Sequence, residues 1–179
     1  PDHPEVARVL ANRADTLLLL TRQEEALRSF ERALRIRAAA LGDDAPLVGQ
    51  VLRQIGVVQA EMLRHEDAIA TLKRSIAIHR AARDDEGLSL ALTMLARVYD
   101  DLEDFSSSGA LFDEAIAAGE RAFGAQSVQV GRMLVNRNSS RFMAGELAEG
   151  VAEQERALAI FAMTLPADDP AIATARMSL

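Results

Sequence analysis

Polar and apolar positions along the chain repeat on two scales. Over a single turn-length window such as 7–20, apolar residues recur at i, i+3, i+4 and i+7, which is one face of an α-helix. Over longer distances the pattern copies itself. A shift of 42 residues lays Pro4 on Pro46, Ala14 on Gly56, Ala26 on Ala68, Phe30 on Leu72, Ala33 on Ser75 and Ile36 on Ile78. A further 40 lays Gly56 on Ala96, Leu72 on Phe112 and Ser75 on Ala115. Another 42 lays Ala96 on Asn138, Ala115 on Ala157 and Ile116 on Leu158. A period of this size marks a stacked array, in which no unit buries its apolar face alone. Small residues at the Ala14, Ala26 and Ala33 slots let helices approach, and Leu10, Leu17, Phe30 and Leu34 fill the space between them.

The predicted units are helical hairpins at about 3–42, 45–84, 86–124 and 126–165, with part of a fifth at 168–179, forming one array over 1–179. Helices are predicted over 3–20 and 24–41, 45–62 and 66–83, 86–102 and 106–123, 126–144 and 147–164, and 170–179. Asp2 with Pro4, and Asp43-Asp44-Ala45-Pro46, read as helix starts; Gly42, Gly124 and Gly145 read as stops. The clusters Asp43-Asp44 and Asp84-Asp85-Glu86 read as caps, since they lack the alternating ligands of a calcium loop. The chain starts at Pro1 without a Met and stops inside a helix, so a fragment of a longer protein is expected.

At 100° per residue, Leu10, Arg13, Leu17 and Leu20 share a core stripe, and Arg8, Asn12, Asp15 and Leu19 share the opposite one. The later copies of the second stripe are Gln50, Gln54, Val57 and Glu61, flanked by Arg53; then Leu90, Met94, Arg97 and Asp101; then Arg132, Asn136, Ser139 and Met143. Amides, arginines and a few apolar groups form a surface that suits an extended peptide: amides bond its backbone, Arg pairs with its carboxylates, and apolar residues hold its side chains. Arg13 falls in a slot held later by Ile55 and Leu95, and its place at the chain start argues for exposure. The pairs Leu18-Leu19 and Phe142-Met143 read first as packing near hairpin turns, and second as anchors for a partner helix.

The fourth copy departs from the pattern. Arg137, Asn138 and Arg141 stand where the third has Leu95, Ala96 and Tyr99. A buried Arg needs a partner, and the candidates are Asp113, Glu114, Glu153 and Glu155. The outcome is either a salt-bridged, weaker repeat or a charged ligand pocket.

Composition removes other classes. There is no Cys, so thiol chemistry and cysteine metal sites are absent; the formal net charge of −7 argues against a general nucleic-acid or anionic-membrane surface. The longest aliphatic run, Leu17 to Leu20, is far short of the ~20 residues of a spanning helix. No signal peptide, phosphate loop, nucleophile elbow or paired-histidine motif occurs, and His3, His65 and His79 lack ligand-spaced neighbours. No enzyme activity, cofactor or metal is expected, and the expected location is cytoplasmic.

The motifs Asp2-His3-Pro4-Glu5-Val6-Ala7, Glu24-Glu25-Ala26, Phe30-Glu31-Arg32-Ala33-Leu34-Arg35-Ile36, Leu41-Gly42-Asp43-Asp44 and Leu95-Ala96-Arg97-Val98-Tyr99 resemble the tetratricopeptide repeat, and more closely its 42-residue variant found in kinesin light chains and bacterial signalling proteins. The resemblance implies an all-α, right-handed superhelical solenoid of antiparallel helix pairs, with the first helices lining a concave groove. Asn12 and Asn136 fall where that family often places a peptide-holding Asn, whereas Gln54 and Met94 stand in the middle copies. The implied function is a non-enzymatic scaffold that binds a protein segment in the groove. The alternative is a regulatory module controlling an adjacent catalytic or nucleotide-switch domain. Uncapped repeat ends add self-association as a third expectation.

Overall fold

The computed structural model describes residues 3–166 and 168–177. The chain is an all-α solenoid. Its hairpins pair α1 (Pro4–Leu19) with α2 (Gln23–Leu41), α3 (Pro46–Glu61) with α4 (His65–Ala82), α5 (Asp85–Asp101) with α6 (Phe105–Phe123), and α7 (Val128–Ala144) with α8 (Leu147–Thr164). A last helix, α9 (Pro170–Met177), packs on α8. Among the described residues there is no β-strand.

One backbone turn closes all four hairpins. A single residue after each first helix takes positive φ: Thr21 (55°), Leu63 (59°), Glu103 (59°) and Gly145 (82°). The next N–H then reaches back to a helical carbonyl, from Arg22 to Leu17, Arg64 to Gln59, Asp104 to Tyr99 and Glu146 to Arg141, each at 2.9 Å. These bonds satisfy carbonyls that a helix end leaves orphaned. The sequence signals glycine only in the fourth turn; in the others the closing bonds and hairpin packing hold a non-glycine residue in the left-handed region.

Helix starts differ from expectation in two places. Asp2 lies outside the described residues, and α1 is capped instead by His3, whose Nδ1 accepts the Glu5 N–H at 3.2 Å. At α3 the N-cap is Ala45, whose side chain has no acceptor to offer, and Asp43 pairs with Arg74 at 3.2 Å. The acidic start at α5 is a cap as expected, with Asp84 Oδ1 accepting the Gly87 N–H at 3.0 Å. The Gly42 and Gly124 stops stand at φ 89° and 86°.

The repeated small slot explains the closeness within hairpins. A Cβ at Gly56 would lie 2.6 Å from Leu72 Cγ. Ala14 and Ala96 fill the same slot without residual exposure, opposite buried Phe30 and Phe112. A second small slot, Ala7, Gly49, Ser89 and Gly131, is as tight: a Cβ at Gly131 would lie 2.5 Å from Phe161 Cε1. The buried stripe of α1 is Ala7, Leu10, Ala14 and Leu17. Arg13 is exposed, and Leu20, expected in the core, is 58% exposed because the helix has ended before it.

The fourth hairpin is built differently. Arg137 pairs with Asp113 of α6 and with Glu153 of α8 (3.1 Å), and Arg141 pairs with Glu153 (3.1 Å) and Glu146. Of the other two candidates, Glu114 serves Arg80 at 2.6 Å, and Glu155 is exposed. Asn138 Nδ2 donates to Gln154 Oε1 at 2.9 Å, and Gln154 Nε2 donates to the Ala175 carbonyl of α9 at 2.5 Å. A shared carboxylate and a buried amide pair therefore replace the apolar contacts used elsewhere.

Candidate peptide-binding groove

The first helices of the hairpins lie on the inside of the stack. Helix α3 touches α5 and α5 touches α7, whereas successive second helices do not come together to that extent. A stack whose first helices are closer together than its second helices curves toward the first. The stripe at i, i+4, i+7 and i+11 on α1, α3, α5 and α7 points away from the second helices, onto that inner side.

The residues of this stripe fall into three groups. On α1, Arg8 is exposed and tied to Glu5 of its own helix at 2.7 Å, and Asn12 is exposed. Asp15 reaches across to α3, where Gln54 Nε2 donates to its Oδ1 at 3.3 Å. Partial desolvation beside α3 pushes the Asp15 carboxyl above the usual carboxylate range, against the opposing pull of Arg53 and Gln54.

Arg53 is the second feature. It is half-buried, its burial lowers its proton affinity, and it forms no hydrogen bond or close ion pair, with Asp15 and Glu86 as its nearest attracting charges. It lines a cleft of about 190 Å³ with Gln50 and Leu90. The Gln50 side-chain oxygen accepts from Arg37 Nη1 of α2 at 3.3 Å, so part of its capacity is already used. A desolvated charge without a partner costs stability. Arg53→Met is therefore expected to stabilise the fold by about 1 kcal/mol, measured by urea unfolding; a loss of that size would show that the guanidinium is structurally satisfied.

The third group is a cleft of about 120 Å³ between α3 and α5, where Met94, Arg97 and Asp101 meet Val57 and Glu61. Arg97 is exposed and unpaired, and Met94 offers a half-buried apolar floor. On α7, Arg132 is exposed without a partner, Asn136 is half-buried, and the Ser139 hydroxyl donates weakly to the Val135 carbonyl at 3.4 Å. The structure thus brings Asp15, Arg53 and Gln54 together, and Met94, Arg97 and Asp101 together. Arg8 is engaged on its own helix.

Of the apolar pairs at the turns, Leu18 packs against the core as expected, whereas Leu19, Phe142 and Met143 are 86%, 62% and 68% exposed. Their helices end there, and the turn that follows carries no residue over them.

Two buried constellations were not anticipated. His79 is 3% exposed and its Nδ1 lies 2.7 Å from Asp84 Oδ2, while the other Asp84 oxygen caps α5. The available signal was the bracketing of His79 by Gly49 and Gly87, which clear room for the ring. Gln154 is the second; it stands 42 residues after Phe112, in the large apolar slot, and Asn138 stands opposite in the small one. A paired change of both slots to amides was the signal. Among the described residues no His, Cys, Asp or Glu cluster is arranged to hold a metal, and no helix is long and apolar enough to cross a membrane.

Comparison with known families decides the class. Tetratricopeptide-repeat models match residues 6–46 and 47–121. The chain belongs to the tetratricopeptide repeat family. Its repeats are similar to those of kinesin light chains. Protein KINESIN LIGHT CHAIN-RELATED 1 of Arabidopsis thaliana is 23% identical over 165 residues, which are 89% of this chain and 26% of that protein. The chain thus spans about a quarter of the length of this curated relative. Among solved structures, the kinesin light chain TPR-like repeats of Podosopora anserina superpose with a TM-score of 0.82 at 18% identity, over 99% of this chain and 85% of theirs. BtubC from P. vanneervenii gives 0.79 at 16%, over 90% and 65%. Aspartyl phosphate phosphatase F of Bacillus subtilis gives 0.87 at 12%, over 99% and 45%. These likenesses concern the fold. TPR arrays are in general protein-interaction scaffolds without catalytic activity.

Proposed function

We propose that the chain is a non-enzymatic, cytoplasmic scaffold that takes an extended, carboxylate-bearing protein segment along the inner faces of α1, α3, α5 and α7. The observation that carries this reading is the state of the arginines. Arg53, Arg97 and Arg132 stand without ion pairs on successive first helices, in one inward row; Arg13, Arg32, Arg35 and Arg83 also lack ion pairs but lie off that row. Unpaired guanidiniums in a row are available for bidentate contact with carboxylates. Asn12, Gln54 and Asn136 supply amides for the segment's backbone, and Met94 with Val57 supplies an apolar seat.

The test is a pull-down from lysate of the source organism, read by mass spectrometry, with this chain and an Asn12→Ala/Arg53→Ala/Arg97→Ala/Asn136→Ala copy as baits. Both must first show cooperative melting. A protein held by the first and lost by the second identifies the client, with an expected loss of at least tenfold in retention (about 1.4 kcal/mol or more). Equal retention by both moves binding off the inner face.

A second reading has its own support. The likeness to aspartyl phosphate phosphatase F covers 45% of that protein's chain, which fits an array working as a regulatory part of a larger signalling protein. A catalytic or nucleotide-switch motif in adjoining sequence would favour it. Self-association is favoured by the exposed Phe142, Met143, Leu147 and Val151 around the last turn. Light scattering that returns a constant monomer mass over a wide concentration range would exclude it.

A further inference from the structure

We propose that the open side of the first hairpin docks an acidic amphipathic helix of a partner protein, with carboxylates at i and i+7. The chain carries the template for this contact, because the same slots are filled in later copies. Arg32 falls in the register of Arg74, Glu114 and Arg156. Each of those three pairs back toward the preceding hairpin: Arg74 with Asp43 just after α2 at 3.2 Å, Glu114 with Arg80 of α4 at 2.6 Å, and Arg156 with Glu120 of α6. Arg13 falls in the register of Arg137, which pairs with Asp113 of α6. Among the described residues neither Arg13 nor Arg32 has a partner, and both are exposed.

The fourth hairpin shows what these two slots accept. Its arginines reach Asp113 and Glu120, which stand at i and i+7 and so share one face of α6. Ile116 lies between them, in the buried cluster that contains Val130 and Leu134. The first hairpin repeats that apolar floor as Val6 and Leu10, in the same register. Leu10, Arg13 and Arg32 line one cleft of about 130 Å³ with Arg28 and Glu25. Glu25 is held by Arg22 at 2.6 Å, so the three lining arginines give the cleft a positive charge, in a chain of formal net charge −7. An acidic helix with an apolar residue between its carboxylates complements this surface. A second copy of the chain does not. On its α8 the register of Asp113 and Glu120 holds Glu155 and Ala162, and α9 packs on that helix. None of the cleft residues belongs to the groove.

The probe is the α6 sequence itself, a capped synthetic peptide of residues 105–123, titrated into the isotope-labelled full chain and followed by NMR. Resonances of 6–13 and 28–35 are expected to shift, with a Kd of about 0.1–1 mM because the free peptide must order as it binds. Arg13→Glu/Arg32→Glu is expected to weaken binding at least about fivefold, once its thermal melt is shown to match that of wild type. Arg13→Gln/Arg32→Gln serves if charge reversal alters the melt. A peptide with Asp113→Lys/Glu120→Lys should regain binding to the charge-reversed chain. Exchanging Asp113 with Ala115 and Glu120 with Ala118 keeps the peptide's composition but turns each carboxylate about 200° around the helix, and binding should then be lost. The groove variant with Asn12, Arg53, Arg97 and Asn136 changed should bind the peptide as wild type does, so failure here and failure of the groove reading are distinguishable. No shift with the α6 peptide, or equal binding of the exchanged peptide, would overturn the proposal. So would a mass that grows with concentration in light scattering and stays constant in Arg13→Glu/Arg32→Glu, since that assigns the surface to a second copy.

Discussion

Gln154→Leu is expected to destabilise the chain by about 2–3 kcal/mol. The shape of the side chain is nearly kept, so the loss comes from polar groups. Asn138, 4% exposed, loses the acceptor of its Nδ2, and the Ala175 carbonyl loses its donor. That carbonyl belongs to α9, which the Gln154 bond ties to α8. Each buried group left unpaired costs about 1–3 kcal/mol. Changing both amides reverses only part of the effect. Asn138→Ala/Gln154→Phe recreates the Ala96–Phe112 pair of the preceding hairpin and removes the Asn138 cost, leaving about 1–2 kcal/mol for the Ala175 carbonyl that still lacks the Gln154 donor. Urea unfolding followed by circular dichroism measures both. Hydrogen exchange should separately show α9 opening more readily whenever Gln154 is absent, because its carbonyl anchor is gone in either variant. A single variant as stable as the double one would mean that the amide pair holds nothing.

Gly87→Ala should cost about 3 kcal/mol in the wild-type background and change sign when His79 is removed. A Cβ at Gly87 would stand 2.1 Å from His79 Nδ1, 2.3 Å from its Cε1 and 2.6 Å from Asp84 Oδ2. The ring has no retreat, because on its other side the Cβ position of Gly49 lies 2.8 Å from Nε2. The methyl would therefore break the 2.7 Å His79–Asp84 contact and disturb the cap that Asp84 places on α5. In a His79→Ala background the ring clash is gone, and Asp84 Oδ2, no longer held by the imidazole, can turn away from the methyl. What remains is the ordinary preference of a helix for alanine over glycine, about 0.8–1 kcal/mol in favour of Gly87→Ala. Thermal melts of the four proteins in this cycle give the coupling directly. Additive effects would show that the ring moves aside freely.

These two sites also mark where sequence reading loses power. The hairpins were legible because the signal is redundant: small slots at Ala14, Gly56 and Ala96 and large ones at Phe30, Leu72 and Phe112 recur at fixed register, so an error at one copy is corrected by the others. The turns were legible as turns but not in their conformation. Thr21, Leu63 and Glu103 have no local preference for positive φ, and take it because the packed hairpin and its closing hydrogen bond impose it. The apolar identity of Leu20 and Phe142 spoke for burial, but burial depends on what lies opposite, and these helices end before a neighbour covers them.

The inner stripe follows the same division. Which residues face inward was readable from the 100° rotation of a helix, and Arg8, Asn12, Asp15 and their copies lie where that rotation puts them. Which of them are free was not readable. Arg8 and Gln50 are engaged by Glu5 and Arg37, Asp15 and Gln54 hold each other, and Arg53 is desolvated without a partner. These pairings join residues 3, 13 and 39 positions apart, and the longer ones depend on how one hairpin docks on the next.

The sequence alone therefore determined the class of this protein: a periodic chain of amphipathic helices whose hairpins must stack to bury their apolar faces. Only the tertiary structure decided the polar details. It set Asn138 against Gln154, His79 against Asp84, and Arg137 and Arg141 around Glu153. The physical reason is range. Helix periodicity is written in residues a few positions apart, whereas the partner of a buried charge, and the space beside a glycine, are fixed by the approach of a second helix distant in the chain.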